Sequence, residues 1–178
     1  MIKMSIETKN LRLIPGTREI LDKAISGNHE LGQLLNVQIP PNWTEFGVEP
    51  LKYTLNLILK DKEEIGWVTY FPIHKQDNTL IGSCGYKGKP TEKGEVEIGY
   101  EIAPDYRKKG YATEITQGLI SHAFADQRVK TIIAHTLPEE NASTKILTKF
   151  KFIKVGEIHD PEDGNIWKWE LKKDNFNP

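Results

Sequence analysis

A single cysteine, Cys84, stands among the 178 residues. One thiol cannot close an intramolecular disulfide or form a CxxC metal or redox pair, and its scarcity suits a reducing cytosol. Long apolar runs are missing as well: none approaches the ~18 residues that would span a bilayer, and the opening MIKMSIETKN lacks the apolar stretch of a secretory signal. Charge of one sign is also absent. With 24 basic against 25 acidic side chains the formal charge is −1, so no global field favours nucleic acid or an anionic membrane, and any anion affinity has to be local. The expectation is a cytoplasmic protein with neither nucleic acid nor membrane as partner, in which the N-x-S/T sequons at Asn42 and Asn141 are accidental. No repeat or low-complexity tract divides the chain, and its length suits one domain over residues 1–178.

Several familiar signatures fail. GSCGYKGKP has glycines and lysines, but Gly82 and Gly88 are one residue too far apart for GxxxxGK, and Pro90 stands where a Mg²⁺-binding Ser or Thr is needed. His29, His74, His122, His135 and His159 show no HExxH or comparable spacing, so no metal is expected. The GxSxG elbow of α/β-hydrolases is missing too.

KNLRLIPGT alternates Leu11 and Leu13 with polar residues before Pro15 and Gly16, which predicts a strand and a turn. A short helix is predicted from Arg18 to Ser26. After the loop QIPPNWTEFG, the stretch EPLKYTLNLILKDKEE repeats Leu51, Leu55, Ile58 and Leu59 at helical spacing behind Glu49 and Pro50, which predicts a second helix. From Ile65 the period becomes two. WVTYFPI, TLIGSCGY and EVEIGYEI, separated by HKQDN and KGKPTEKG, read as three successive antiparallel strands.

GYATEITQGLISHAFAD then places Ala112, Ile115, Leu119, Ala123 and Phe124 on one helical face. VKTIIAHTL reads as a buried strand and Ala142 to Phe150 as a helix. FIKVGEI and IWKWELK read as two strands around the turn HDPEDGN. The final DNFNP is expected to fray. Three middle strands without crossover helices argue against a doubly wound sheet and for a mixed α/β, or α+β, arrangement.

DYRKKGYATE, residues 105 to 114, holds three cations and a glycine ahead of the best helix. Free amides of a first helical turn, together with the helix macrodipole, can converge on a diphosphate. The other reading is a plain basic loop, although cations suit that end of the dipole badly.

EIGYEIAPDYRKKGYATE resembles the central motif of the GNAT superfamily of acyl-CoA N-acyltransferases, whose R/QxxGxG/A signature is matched by Arg107, Gly110 and Ala112. ETKNLRLIPGT is similar to the opening strand of the branch that contains ribosomal-protein N-terminal acetyltransferases, and LPEENASTKILTKFKF to its second motif, so the resemblance runs in order over most of the chain. It implies a twisted, mainly antiparallel sheet of about six to seven strands flanked by about four helices, with acetyl-CoA as co-substrate. It further implies that the loop amides hold the coenzyme pyrophosphate. The coenzyme would be met by Arg107, Lys108, Lys109, Gly110, Tyr111, Ala112 and Thr113, and by Asn141 and Ser143 of the second motif. Gly110 would let the backbone approach without a Cβ, and Ala112 would keep the first turn small. The strand before the loop would offer an amide to the thioester oxygen between Tyr100 and Ile102.

Three positions depart from the family pattern. If Ser143 matches the motif's serine, Glu140 stands where the family's Asn would fall and Asn141 comes one place late, so Asn141 reads as a helix N-cap as readily as a coenzyme contact. Lys151 replaces the usual Gly before Phe152. Leu147 takes the place of a Tyr that serves several members as general acid, which leaves Cys84 and Tyr86 as the remaining candidates for that role.

Acyl transfer from a thioester to an amine requires an uncharged amine, a donor to the thioester oxygen and alignment of the two substrates. A carboxylate acting through water can take the proton. Glu97 lies near where family members carry such a glutamate, and alternation puts Glu95, Glu97 and Glu101 on one face, whose other reading is a solvated strand surface. Trp43 falls in a loop that shapes the acceptor site in the family; packing is its other reading. The expected activity is direct N-acetylation of a primary amine, either a protein N-terminus or a small molecule such as an aminoglycoside or polyamine, with a homodimer left open. The alternative is a non-catalytic acyl-CoA-binding sensor or interaction module, which an intact cradle without a working base or acid would also produce.

Overall fold

The alternation of Leu11 and Leu13 with Arg12 does form a strand. In the computed structural model, which describes residues 4–176, β2 (Leu11–Pro15) buries both leucines completely and leaves Arg12 outside. The short β1 (Ile6–Glu7) pairs with it. Thr17 caps α1 (Arg18–Ser26) by accepting from the Ile20 amide, and α2 (Asn28–Leu35) follows directly through Gly27. The pattern of the sequence hides α2, because Gly32 sits in its middle, no side chain caps it and Leu31 is its one fully buried residue.

α3 (Glu49–Lys60) carries Pro50 in its first turn as expected, but its buried stripe runs through Leu51, Thr54 and Ile58. Leu59 is 54% exposed, a correction to the predicted apolar face. Leu55 is half-buried beside the stripe.

The central strands are β3 (Thr69–His74), β4 (Thr79–Leu80), β5 (Gly82–Tyr86) and β6 (Glu95–Ile102). TLIGSCGY thus breaks at Ile81 into two pieces. β5 lies close between its neighbours: a Cβ on Gly82 would meet the Glu101 carbonyl, and one on Gly85 the Val68 carbonyl. Those glycines of GSCGY serve sheet packing. α4 (Tyr111–Ala125), β7 (Thr131–Thr136), α5 (Ala142–Lys149), β8 (Ile153–Asp160) and β9 (Gly164–Lys172) complete the order. The strands run β1-β2-β3-β5-β6-β7-β9-β8, with β4 beside β3. Every pairing between named strands is antiparallel except β6 with β7. Among the described residues, nine strands and five helices exceed the expected count because β1 and β4 are two-residue pieces and α2 carries no sequence signal.

The sheet separates two apolar clusters. Neighbours Tyr70 and Phe71 enter different ones, as strand alternation requires. α1, α2 and α3 cover Phe71 and Ile73, while α4 covers Leu13, Ile98 and Ile132 with Ile115, Leu119 and Ile120, each fully buried. Burial of each such side chain contributes about 1.5–3 kcal/mol, which explains why α4 follows its sequence pattern closely. Up to Phe176 the expected fraying gives way to order: Lys173–Asn175 form a 3₁₀ turn and Phe176 packs on Phe124 at 5.3 Å between ring centroids. Asn177 and Pro178 lie outside the described residues.

One irregularity positions the site. β6 and β7 pair only from Glu95–Thr131 to Glu97–Ile133. Beyond that register both strands continue, β6 to Ile102 and β7 to Thr136, and they splay apart.

Candidate active site

Backbone polarity in the splay follows from the register with β5. The Lys87 amide donates to the Glu97 carbonyl at 2.9 Å and the Ala103 amide to the Ile81 carbonyl at 2.7 Å. Antiparallel bonding alternates along a strand, so Glu97, Gly99, Glu101 and Ala103 direct their backbone groups to β5. Ile98, Tyr100 and Ile102 direct theirs into the gap. The Ile102 carbonyl is taken by Arg107 Nε at 2.8 Å. The N–H groups of Tyr100 and Ile102 are thus the backbone donors that face the opening, within the interval expected from the sequence.

The loop after β6 makes one 3₁₀ turn, Pro104–Tyr106, and then reverses through two left-handed residues, Lys108 at φ 59° and Gly110 at φ 85°. Gly110 is the N-cap of α4 and offers no side-chain cap, so the first-turn amides of Tyr111, Ala112 and Thr113 have no carbonyl above them. A Cβ on Gly110 would meet nothing within 4 Å. The space it would enter belongs to a cleft of about 530 Å³ bordered by Tyr100, Ile102, Lys108, Gly110, Ala112 and Ser143. Unpartnered amides, a helix N-terminus and an open volume fit a diphosphate.

The three cations behave differently from one another. Arg107 borders the cleft, but its guanidinium is engaged with the Ile102 carbonyl and, through Nη2, with Glu45 Oε1 at 2.7 Å. Lys109 lies over the Tyr106 ring, 5.2 Å from its centroid. Lys108 holds the left-handed turn. From behind, the Tyr111 hydroxyl and His74 Nε2 lie 2.8 Å apart, His74 Nδ1 faces Asp77 Oδ2 at 3.1 Å, and the Tyr106 hydroxyl donates to Asp77 at 2.9 Å. This network pins the loop to the end of β3.

Asn141 is a helix cap. Its side chain accepts from the Thr144 amide at 3.1 Å while Thr144 Oγ1 accepts from the Asn141 amide at 2.9 Å, a reciprocal capping box. The cap sets Ser143 at the start of α5, against this cleft. Burial raises the Tyr100 phenol above its ordinary pKa, with hydrogen bonds to Ser143 and Thr116 pulling the other way. Leu147 is buried in the core. Cys84 is buried and its thiol pushed up by that burial. Tyr86 donates its proton to the Leu119 carbonyl at 2.6 Å inside the core. Neither lines this cleft.

A second cleft, also about 530 Å³, opens on the other side of the splay and shares Tyr100 and Ser143 with the first. Glu97 lines it. Its Oε1 accepts from His135 Nδ1 at 2.8 Å and from Lys87 Nζ, while buried His135 Nε2 has no partner among the described residues. Glu101 lies on the same face, as alternation requires. It accepts from Thr44 Oγ1 at 2.6 Å, Ser83 Oγ at 2.9 Å and the Glu45 amide at 3.1 Å. Glu95 stands at the paired end of β6, away from the opening.

Trp43 does not line either cleft. It is buried, donates from Nε1 to Asn28 Oδ1 at 3.0 Å and packs on Phe71, so packing is the role the structure gives it. Phe46, three residues on, is the aromatic that lines the second cleft. Sequence reasoning misses Phe46, Thr44, Ser83, Lys87 and His135. Only the parity of Glu101 with Glu97, and the aromatic content of the loop around Trp43, point toward any of them.

Comparison with known proteins agrees with this geometry. The acetyltransferase (GNAT) domain family matches residues 37–153. The curated N-acetyltransferase YjdG of Bacillus subtilis (strain 168) is 29% identical over 149 residues, 83% of this chain and 89% of its own. Ribosomal-protein-S5-alanine acetyltransferase from Vibrio fischeri shares the fold with TM-score 0.68 at 17% identity, over 98% of this chain and 99% of that one. RimL, a ribosomal alpha-N-protein acetyltransferase solved in complex with coenzyme A, does so with TM-score 0.65 at 14% identity, over 94% and 97%. Among the described residues no helix is long and apolar enough to cross a membrane. With its splayed β6 and β7, its Gly110 cradle and this family match, the chain belongs to the GNAT acetyltransferases and is an acetyl-CoA-dependent N-acetyltransferase.

Proposed function

We propose that the chain moves the acetyl group of acetyl-CoA directly to a primary amine, a protein N-terminus or a small-molecule amine, with both substrates held at the splay. The observation that carries this reading is the meeting of two clefts at Tyr100 and Ser143, one bordered by the Gly110 cradle and the other by Glu97.

On the donor side, the amides of Gly110, Tyr111, Ala112 and Thr113 hold the diphosphate, with Lys108 and Lys109 adding charge at the mouth. Arg107 acts indirectly, by fixing the Ile102 carbonyl and the loop that carries Glu45. The Tyr100 and Ile102 amides face the gap, where they can donate to the thioester oxygen and to the oxyanion that develops from it. Asn141 contributes by capping α5 and so placing Ser143.

On the acceptor side, Glu97 takes a proton from the incoming ammonium through water. The freed amine nitrogen forms the new N–C bond, the C–S bond breaks, and the second proton that the nitrogen sheds on becoming an amide passes, through solvent, to the leaving thiolate. A thiol is a good leaving group, so Leu147 in place of a dedicated acid does not block the step. Trp43 serves the acceptor only by anchoring the loop that bears Phe46.

Thiol release from acetyl-CoA over a panel of amines and peptides tests the reading, paired with calorimetry of acetyl-CoA binding. Turnover on at least one primary amine, and loss of coenzyme binding in a folded Gly110→Asp variant, are expected. Coenzyme binding without turnover on any acceptor would overturn the transferase mechanism, and undiminished affinity in Gly110→Asp would overturn the cradle.

A further inference from the structure

Several large apolar side chains are exposed among the described residues, on α3, on β8 and around the second cleft, and three of them converge on that cleft. Phe46, Leu137 and Ile158 are 66%, 53% and 41% exposed, and all three line the acceptor-side cleft. They come from separate elements: the loop between α2 and α3, the residue after β7, and β8. Convergence of exposed apolar groups from distant chain segments on one concavity marks a surface that something apolar covers.

Phe46 is held in place before any ligand arrives. Its amide donates to Thr44 Oγ1 at 3.2 Å, and Thr44 Oγ1 donates to Glu101 at 2.6 Å. Glu45 is tied to the same carboxylate through its amide and to Arg107 through its side chain. The backbone leading into Phe46 is thereby latched to the splay through the two residues that precede it. With that backbone fixed, contact with a ligand has mainly the Phe46 side chain left to order.

The chemistry deeper in the cleft completes the picture. Gly99 leaves its floor open, since a Cβ there would meet nothing within 4 Å, and Glu97 stands beside it on the same strand. Asp160 and Asp163 add negative charge at the rim, against the single cation Lys87. The anionic groups suit an ammonium, and the apolar rim suits what is attached to it.

We propose that Phe46, with Leu137 and Ile158, is a specificity-determining residue that selects primary amines carrying an apolar substituent within a few bonds of the nitrogen. This deepens the acetyltransferase reading and rests on it for the position of the reacting nitrogen. The shared chemistry has two sources: a free arylalkyl or branched alkylamine, and a peptide whose N-terminal residue is large and apolar. A polyamine or aminoglycoside, whose substituents are charged or hydroxylated, would meet Phe46 and Leu137 without burying them and would leave its own polar groups poorly solvated.

The test is a matched panel: phenethylamine against an ether-alcohol amine of equal length, spermidine, and tripeptides differing only in an N-terminal Phe, Leu, Ser or Gly. In wild type the apolar members are expected to exceed their polar counterparts in kcat/KM by about tenfold or more. The free-amine and peptide arms separate the two sources. Phe46→Ala, at an exposed position, is expected to fold. It should raise KM for apolar acceptors about tenfold and erase the preference, without weakening acetyl-CoA binding, and Phe46→Leu should restore part of it. Binding of the same amines to the coenzyme A-loaded protein reads recognition without chemistry. Phe46-dependent binding of apolar amines with no turnover would support this recognition while overturning the transfer mechanism. A preference for spermidine or the polar amines, or an equal loss on every acceptor in Phe46→Ala, would overturn the proposal.

Discussion

His135 Nδ1 lies 2.8 Å from Glu97 Oε1, across the last paired register of β6 and β7. Glu97 faces Ile133 in that register, and strand alternation returns His135 to the same side two residues later. The contact orients the carboxylate at the point where the strands part. Lys87 approaches the same oxygen from β5's end, so two donors meet at Glu97 Oε1.

Glu97→Gln keeps the shape and can still accept hydrogen bonds, but it cannot take a proton. Acetyl-CoA affinity is expected to be unchanged while kcat falls roughly a hundredfold. The fall in rate toward acid pH that a carboxylate base imposes should also disappear. Steady-state pH profiles of wild type and variant decide this, and profiles of identical shape would remove Glu97 from the mechanism.

Asn141→Ala removes one half of the capping box at α5. The expected loss is about 1 kcal/mol, read as a fall of about 2–4 °C in melting temperature for a chain of this size. Asn141→Ser should recover most of it. Acetyl-CoA affinity measured by calorimetry is expected to change little in Asn141→Ser. A large loss of affinity there, in a protein of wild-type stability, would assign Asn141 a direct coenzyme contact instead.

Lys151 sits where the family usually has Gly, and the structure gives the cost. It adopts φ 63° directly after α5, where its amide donates to the Thr148 carbonyl and the next amide, of Phe152, to Leu147. This left-handed C-terminal turn disfavours a residue with a Cβ by about 1–2 kcal/mol, part of which a flexible glycine gives back through unfolded-state entropy. Lys151→Gly is therefore expected to stabilise by about 0.5–1 kcal/mol in urea unfolding. A destabilised variant would mean that the lysine side chain makes an offsetting contact.

Glu114 on α4 holds the β1–β2 turn. It accepts from the Asn10 amide at 2.6 Å, from Asn10 Nδ2 at 2.8 Å and from the Thr8 hydroxyl. Burial works to raise its pKa, but those hydrogen bonds outweigh it and hold the carboxyl below its ordinary value. A depressed carboxylate stabilises the fold above its unfolded pKa, and the contribution is lost as pH falls through the folded value. Glu114→Gln should thus cost about 1–3 kcal/mol at pH 7, with the gap to wild type closing below about pH 4. Thermal melts across that range check the sign, and a gap that persists or widens at acid pH would contradict it.

Most elements are legible in the sequence, for a reason visible in α4 and β2. Both bury an unbroken apolar face against a single cluster, so their period survives in the residue order. α2 leaves no such trace, since a helix with one fully buried side chain and a central glycine depends on tertiary contacts rather than on its own pattern. The split of TLIGSCGY and the packing of Phe176 on Phe124 likewise arise from neighbours distant in sequence.

The two halves of the site divide along the same line. The sequence by itself determines the proposed donor half: Gly110, the first-turn amides and the basic loop are consecutive, and a backbone cradle depends on local turn conformation and on the absence of a Cβ. Only the tertiary structure decides the acceptor half. Glu97, His135, Phe46, Leu137 and Ile158 come from four separate stretches of chain. What brings them together is where β6 and β7 stop pairing and which residues each register turns toward the gap, and register is a property of strand pairs that no single stretch of sequence carries.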